Sequence, residues 1–222
     1  MPSIRPELDL DALARDTYSA VYSDVCDACE MRDQTLSPGA RLLAGPGGVL
    51  IGWARTAVSL PVTAIPERPY DLEIDFIDSL GLGDVVVMDC SRKPAAAWGE
   101  LFSTASVGRG ARGALIDGYI RDVAKIDDLG RFPVFGRGSR PTDSLGRVSI
   151  QSIDIPVSVF GLTVHPNDLI IADRDGVTVV PSRRAVEIVA LAKQKATTEN
   201  SARDLLLAGG YLRDVWTKYR VL

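Results

Sequence analysis

The sequence predicts an α/β protein built around a parallel or mixed β-sheet with helical cover. Predicted strands and helices alternate between residues 85 and 135, and such alternation is typical of sheets with parallel strands. The segment Val85 to Asp89 is an almost unbroken apolar run, as expected for a buried strand. Hydrophobic residues make up 46% of the chain and charged residues 24%, which is ordinary for a globular domain.

The composition also argues against several classes of protein. With 222 residues, the chain can bury roughly 70% of its unfolded surface, as one large domain or two small ones. A net charge of −4 argues against nucleic acid as the main partner. No signal peptide is evident, and no apolar run approaches the ~20 residues that span a bilayer. Because three cysteines fit a reducing compartment, we expect a cytoplasmic protein without membrane or nucleic-acid partners.

Periodicity and turn residues predict the individual elements. The predicted helices are Leu8 to Cys29 (with a second helix starting at Ser23), Tyr70 to Leu80, Pro94 to Gly110, Val123 to Leu129, Ser182 to Ala208 and Leu212 to Tyr219. The predicted strands are Val49 to Val62, Val85 to Asp89, Gly113 to Asp117, Pro133 to Phe135, Val148 to Ile155, Val157 to Val164 and a hairpin from Asp168 to Pro181. Leu36 to Gly48 and Gly136 to Arg147 are predicted as loops.

Chemistry-bearing residues concentrate between Gly99 and Asp122. Glu100 starts a predicted helix, and Asp117, Arg121 and Asp122 follow a predicted strand. In α/β sheets, ligands bind beyond the carboxyl ends of strands and at helix N-termini. Carboxylates, a guanidinium and free backbone N–H groups therefore predict a crevice that holds a divalent metal and an anionic substrate.

The Arg121–Asp122 pair also has an ordinary structural interpretation. Asp122 would cap the helix predicted from residues 123 to 129, and Arg121 would be solvated. The dipeptide taken alone favours this structural interpretation, and the site interpretation also stays open.

Three further patterns carry no chemistry of their own. Gly108 to Gly113 matches GxGxxG but precedes a strand rather than following one, so it is interpreted as a helix end and tight turn. Cys26 and Cys29 have CxxC spacing, but a zinc site needs four ligands, and only Cys90 and the sole histidine, His165, remain to complete it. The cysteine pair is therefore interpreted as part of a buried helix face, and His165 as a surface turn residue.

Five ordered stretches carry a resemblance that covers most of the chain. They are Ser23 to Asp27, Gly52 to Ala57, Gly83 to Val87, Asp117 to Asp122 and Asp168 to Pro181. Together they resemble the RraA-like family, which contains the regulator of ribonuclease activity A and the 4-hydroxy-4-methyl-2-oxoglutarate and 4-carboxy-4-hydroxy-2-oxoadipate aldolases. The most diagnostic stretch is Asp-Gly-x-x-Arg-Asp, which ends at Asp122. The resemblance implies a swivelling β/β/α-type sandwich over residues 1–181 and a C-terminal helical extension over residues 182–222, which packs on the domain or on a neighbouring subunit.

The resemblance to the aldolases also implies roles for individual residues. Asp122 would ligate Mg²⁺ or Mn²⁺, and Arg121 would pair with the oxygens of a 2-oxo acid. Glu100 stands where the aldolases usually have Asp, and with Glu199 it would hold metal-bound waters. Glu199 would come from a neighbouring subunit of a homotrimer or homohexamer, and Glu187 is the alternative match.

The same resemblance implies where the substrate binds. The N-terminus of the helix that starts at Glu100, with Gly99 before it, would receive the substrate's carboxylate through the N–H groups of Leu101 and Phe102.

The implied activity is cleavage of 4-hydroxy-2-oxo (di)carboxylic acids to pyruvate and a carbonyl product, with oxaloacetate decarboxylation as a side activity. Two alternatives stay open. One is a non-enzymatic regulator of ribonuclease activity, which acts by binding a protein. The other is a metal-dependent lyase acting on another hydroxy-keto acid or a sugar acid.

Overall fold

A curled mixed β-sheet forms the centre of the fold, and the computed structural model describes residues 5–90 and 95–221. The strands are β1 (Arg41–Ala44), β2 (Leu50–Pro61), β3 (Asp84–Asp89), β4 (Ala96–Trp98), β5 (Gly113–Ile120), β6 (Val134–Ser139), β7 (Val148–Ile153), β8 (Val157–Val159), β9 (Leu162–Val164), β10 (Leu169–Ala172) and β11 (Val177–Val180). The larger sheet has the order β1-β6-β5-β3-β2-β10-β11, with β4 beside β5 and β7 beside β2. Strands β2, β3, β5 and β6 run parallel, so the predicted α/β class with a mixed sheet is confirmed.

The helices lie on one face of this sheet. They are α1 (Leu10–Asp16), α2 (Ser19–Ala28), α3 (Asp71–Asp78), α4 (Glu100–Gly108), α5 (Val123–Asp128), α6 (Ala185–Leu207) and α7 (Leu212–Tyr219), and a 3₁₀ turn, Ser182–Arg184, precedes α6. The hairpin β8–β9 packs on the opposite, inner face of the sheet. No helix in the described ranges is both long enough and apolar enough to cross a membrane.

Strand β3 shows how the apolar runs of the sequence are used. Val86 and Met88 pack with helices α3 to α5, whereas Val85 and Val87 pack with the β8–β9 hairpin. All four are almost completely inaccessible to solvent. Because successive side chains of a strand point to opposite faces, a strand covered on both sides must be apolar at every position. The prediction of a buried strand is therefore confirmed.

The helix predicted from Pro94 to Gly110 is wrong over its first part. Residues 96–98 form strand β4, Gly99 is the N-cap, and α4 begins at Glu100; Pro94 lies outside the described residues. The alanine-rich segment favours a helix locally, but pairing with β5 overrides that preference, and the Arg121 N–H donates to the Trp98 carbonyl at 2.9 Å.

Strand β5 is longer than predicted. The strand continues to Ile120, so Asp117 lies inside it instead of beyond its end. Gly118 packs against Cys90, and a Cβ added at this glycine would lie only 2.7 Å from the Cys90 Cβ. Glycine at this position thus permits a close approach of Cys90 to the strand.

Other boundaries differ where short elements follow one another. The predicted loop 36–48 contains the short edge strand β1, which pairs antiparallel with β6. The first helical segment breaks at Thr17 and not at Ser23, because Thr17 is extended, with φ −135°. The strand predicted over residues 157–164 is a hairpin that turns at Phe160 and Gly161, both with positive φ.

The C-terminal part of the chain is helical, as predicted. Helix α7 has the predicted bounds, and the predicted hairpin forms as β10 and β11. The first half of α6 is buried against α1, α2 and the sheet through Ile188, Val189 and Ala192. A division at residue 181, and contact of this extension with a neighbouring subunit, stay predictions.

Candidate active site at the start of helix α4

Two elements bring the predicted site residues together. Strand β4 pairs with the end of β5, so the start of α4 lies beside Arg121 and Asp122. Gly99 is the point of closest approach. A Cβ added at Gly99 would lie 2.8 Å from the Asp122 Oδ2 and 3.2 Å from the Arg121 Cγ. Any larger residue at this position would displace the Asp122 carboxylate, so the geometry of the site depends on glycine as well as on the charged groups.

Asp122 does not cap the helix that follows it. It is the residue before α5, but its backbone is left-handed, with φ 61° and ψ 31°, and its side chain makes no capping hydrogen bond. Asp tolerates this conformation better than most residues. The carboxylate turns toward α4 instead, with Oδ2 3.4 Å from the Glu100 nitrogen and 3.5 Å from the Arg121 Nε. The helix-cap interpretation of this residue is wrong.

The N-terminus of α4 presents free backbone donors. Gly99 has no side chain that can cap the helix. The N–H groups of Leu101 and Phe102 find no acceptor among the described residues. Glu100 is half-buried and turns along its own helix, where the Thr104 hydroxyl donates to its Oε1 at 2.7 Å. Two N–H donors and the positive end of the helix dipole therefore face the same space as the Asp122 carboxylate.

These groups line a cavity of about 290 Å³. Trp98 lines the cavity and stacks on Phe132, with 6.3 Å between the ring centroids. Its Nε1–H donates to the Ser103 Oγ at 2.8 Å. The lining residues are Tyr70, Ile74, Ala96 to Phe102, Arg121, Asp122, Asp143 and Ser144. The structure thus brings Gly99, Glu100, Leu101, Phe102, Arg121 and Asp122 to one cavity.

Sequence reasoning missed two polar residues of this cavity. The Asp143 carboxylate forms an ion pair with Arg121, with 2.9 Å between Oδ1 and Nη1, and the Tyr70 hydroxyl lies 3.4 Å from the Asp143 Oδ2. Tyr70 directly precedes α3, and Asp143 lies in a segment predicted only as a polar loop. Both are therefore distant from Arg121 in the sequence. Neither carries a local signal in the sequence, because only the folded chain brings them to Arg121.

Asp117 does not belong to the site. It is buried in β5, forms an ion pair with Arg137 and accepts the Phe160 N–H at 2.7 Å. The Arg137 guanidinium lies 4.5 Å from the centroid of the Phe160 ring. The carboxylate therefore fixes the β8–β9 hairpin on the inner face of the sheet. The expectation that Asp117 clusters with Arg121 and Asp122 is wrong because the strand is longer than predicted.

Glu199 lies elsewhere in this chain. The Tyr18 hydroxyl donates to its carboxylate, and the Lys195 Nζ lies 3.2 Å from it, between α2 and α6. Burial and the hydrogen bond to Glu199 raise the pKa of Tyr18 to about 12. Glu187, the alternative, is exposed and pairs with Arg184. Neither lines the cavity of its own chain, so a role for Glu199 at the site depends on a second subunit and stays a prediction.

The remaining sequence patterns have structural roles. Helix α4 ends at Gly108, and Gly110 has φ 87°, which gives the predicted helix end and turn. Cys26 lies on the buried face of α2, and this burial raises the pKa of its thiol to about 11. Cys29, the C-cap of the same helix, is half-buried. His165 is an exposed residue of the turn before β10.

The donor set fits a hard divalent cation. In the described ranges no group of three His, Cys, Asp or Glu side chains converges, so a structural zinc site is not formed there. Asp122 offers one carboxylate in an open cavity, beside Glu100. Mg²⁺ typically keeps several waters and binds through one or two carboxylates, so water and substrate would complete its coordination.

Comparison with known proteins places the chain in a family. The model of the RraA-like family, described as Aldolase/RraA, matches residues 22–179. The chain belongs to the Aldolase/RraA family. A relative from Aromatoleum aromaticum named "Putative 4-hydroxy-4-methyl-2-oxoglutarate aldolase" is 30% identical over 72% of this chain and 95% of its own length. An uncharacterized protein of Methanocaldococcus jannaschii is 37% identical over 54% of this chain.

The match to this archaeal protein covers 57% of its length, so the chain spans about half the length of several curated relatives. Among solved structures, Streptomyces coelicolor RraAS2, described as an unusual member of the RNase ES inhibitor RraA protein family, superposes with a TM-score of 0.77. The two proteins are 27% identical, and the superposition covers 91% of this chain and 99% of the RraAS2 chain. The RraA-like fold with a C-terminal helical part is therefore confirmed for this chain.

Proposed function

We propose that this protein is a divalent-metal-dependent lyase that cleaves 4-hydroxy-2-oxo acids to pyruvate and a carbonyl product. The observation that carries the proposal is the position of Asp122. Its carboxylate makes no bond to the helix it precedes and instead accepts the Glu100 N–H at the start of α4, beside Arg121. The aldolase names among the relatives support the same class of reaction.

The chain's own residues supply binding and charge stabilisation. Asp122 would hold Mg²⁺ or Mn²⁺, which supplies Lewis-acid polarisation of the 2-oxo group when bound. The N–H groups of Leu101 and Phe102, next to Gly99, would receive the substrate's carboxylate at the helix N-terminus. Arg121 would stabilise the negative charge that develops on the 2-oxo oxygen when the C3–C4 bond breaks.

Proton transfer balances this reaction. The C4 hydroxyl loses its proton as it becomes the carbonyl of one product, and C3 gains a proton to complete pyruvate. Glu100, together with Glu199 of a neighbouring subunit, would hold the water that carries the proton. This arrangement requires an oligomer, which we propose to be the homotrimer or homohexamer that the family resemblance implies. The same charge stabilisation would serve loss of CO₂ from oxaloacetate.

The test is release of pyruvate from a panel of 4-hydroxy-2-oxo acids and from oxaloacetate. We expect turnover with Mg²⁺ or Mn²⁺, loss of turnover with EDTA, and recovery when either ion is restored. Full activity after exhaustive chelation would contradict the metal dependence, and no pyruvate from any member of the panel would contradict the lyase.

A second candidate function is regulation of a ribonuclease through protein binding. The likeness to RraAS2 over almost the whole of both chains favours it. Binding of a ribonuclease by a protein that releases no pyruvate would establish this candidate. A lyase acting on another hydroxy-keto acid or a sugar acid differs from the main proposal only in substrate, and the same panel distinguishes them.

A further inference from the structure

The Asp143 side chain lies at the edge of the cavity, where 39% of it is exposed. The Ala96 N–H donates to the Thr142 carbonyl at 2.8 Å, which ties the loop to β4. The Ser144 N–H donates to the Asp143 Oδ1 at 2.8 Å, and the Arg147 Nη1 donates to the Asp143 carbonyl at 3.1 Å. One backbone donor, the Ser144 N–H, therefore orients this carboxylate, and the Arg121 guanidinium pairs with it.

Asp143 and Asp122 contact different nitrogens of one guanidinium. The Asp122 Oδ2 lies 3.5 Å from the Arg121 Nε, and the Asp143 Oδ1 lies 2.9 Å from Nη1. A substrate whose 2-oxo acid end lies at Asp122 and the start of α4 would therefore place its far end, beyond C4, toward Asp143. The Tyr70 hydroxyl is at the same end, and Ile74 lines the wall one helical turn later.

We infer that Asp143 and Tyr70 select substrates whose C5 group is neutral and bears a hydroxyl, in preference to a second carboxylate. The inference rests on the proposed lyase function and names its substrate class. A C5 carboxylate would meet the fixed carboxylate of Asp143 and compete with it for Arg121, and such like-charge contacts are costly in a partly buried site. A C5 hydroxyl can donate to Asp143 and accept from Tyr70, so it satisfies both groups.

Three substrates that differ only at C5 test this selection. They are 4-hydroxy-2-oxopentanoate (methyl), 4,5-dihydroxy-2-oxopentanoate (hydroxymethyl) and 4-hydroxy-2-oxoglutarate (carboxylate), each assayed by pyruvate release with Mg²⁺. We expect kcat/KM to be highest for the hydroxymethyl substrate, about tenfold above the carboxylate. Asp143→Asn should reduce that ratio by about tenfold, because the amide no longer repels an anion.

Two variants separate selection from a general structural effect. Asp128 is exposed on α5, where it pairs with Lys125. Asp128→Asn removes the same charge as Asp143→Asn and should leave the ratio of kcat/KM between the hydroxymethyl and carboxylate substrates unchanged. Tyr70→Phe removes a hydroxyl without changing the charge, so it should lower the preference for hydroxymethyl over methyl and leave discrimination against the carboxylate intact.

A binding measurement is independent of turnover. Neither 2-oxopentanoate nor 2-oxoglutarate has the 4-hydroxyl group that cleavage requires, and they differ at C5 as methyl and carboxylate. By calorimetry with Mg²⁺, the parent should bind 2-oxopentanoate more tightly, and Asp143→Asn should narrow the difference in Kd.

The outcomes separate the two proposals. If pyruvate is released but the parent prefers the carboxylate substrate, or the Asp143→Asn ratios equal those of the parent, the selection is overturned and the lyase stands. If no substrate releases pyruvate, the lyase proposal is overturned. The proposed substrate selection is then overturned as well, even if the Kd values differ, because there is no substrate to select.

Discussion

At the scale of single residues, the site depends on one aspartate and one glycine whose sequence signals have ordinary interpretations. Asp122 has the position of a helix cap, and Gly99 precedes a helix, where glycine is common. The structure distinguishes the roles, because the Asp122 side chain faces α4 and Gly99 provides the room for it. The sequence grouped Gly99, Arg121 and Asp122 at one crevice, and they do line one cavity. Tyr70 and Asp143 were not predicted, because only tertiary structure brings them to Arg121.

Asp122→Asn separates a ligand from a structural role. The side chain caps no helix and Asn tolerates the left-handed conformation, so stability should change by less than ~1 kcal/mol. Turnover should collapse, since the amide lacks the anionic oxygen that a hard cation needs. Pyruvate release and thermal melting of the purified variant measure both effects. Near-parental turnover in a folded Asp122→Asn protein would leave the lyase proposal without its central residue.

Gly99→Ala should impair turnover through geometry alone. The added Cβ would lie 2.8 Å from the Asp122 Oδ2, so the carboxylate and Arg121 must move. Gly108→Ala is the matched control, because a Cβ at that end of α4 meets nothing within 4 Å. We expect the control to retain turnover and to gain up to ~1 kcal/mol of stability, as Ala favours a helix over Gly. Equal turnover in both variants would disprove the close-approach argument.

At the scale of elements, boundaries were predicted best where a segment's own pattern decides its structure. Helix α7 and the β10–β11 hairpin have strong local periodicity and turn residues, and both were predicted closely. Strands β1 and β4 were missed because each is short and is defined by its partner strand. Since β4 places Gly99 beside Arg121, the least predictable strand is also the one that assembles the cavity.

The contact of α2 with α6 should weaken in alkaline solution. Burial and then the Glu199 hydrogen bond raise the pKa of Tyr18 from 10.0 to about 12, and burial raises the pKa of Cys26 from 9.0 to about 11. The folded protein holds these protons more tightly than the unfolded chain does. The stability they contribute is therefore complete below pH 9 and is lost as pH rises through about 11 and 12.

Urea unfolding at pH 8, 10 and 11.5 measures this loss. Tyr18→Phe should be less stable than the parent at pH 8 but should lose less stability by pH 11.5. A parent whose stability is constant from pH 8 to 11.5 would contradict the interpretation.

At the scale of the whole molecule, the C-terminal helices leave apolar surface uncovered. Leu207, Tyr211, Leu212 and Trp216 are exposed by between 46% and 81%, although the first half of α6 is buried. Single exposed apolar residues need no explanation, but a group on consecutive helices indicates a contact surface. The sequence predicted these helices but cannot show what covers them, so the proposed position of Glu199 in a neighbour's site depends on assembly.

We expect light scattering at micromolar concentration to give the mass of a trimer or hexamer. Trp216→Glu should shift the protein toward smaller species, because a charge in an apolar contact is costly to bury. Thr217→Glu adds the same charge at the adjacent, polar position of α7 and should retain the parent's mass. A monomeric mass for the parent would contradict the assembly.

The uncapped start of α4 has a consequence for how ligand binding is observed. Backbone amides without an acceptor exchange hydrogen with water quickly, and those of Leu101 and Phe102 find none in the described part of the chain. A bound carboxylate would act as the missing cap, so both amides should exchange more slowly when pyruvate and Mg²⁺ are added together. Amides at the other end of α4, near Gly108, should exchange at the same rate with and without the ligand. The helix would then report occupancy through its own first turn, without any need for turnover.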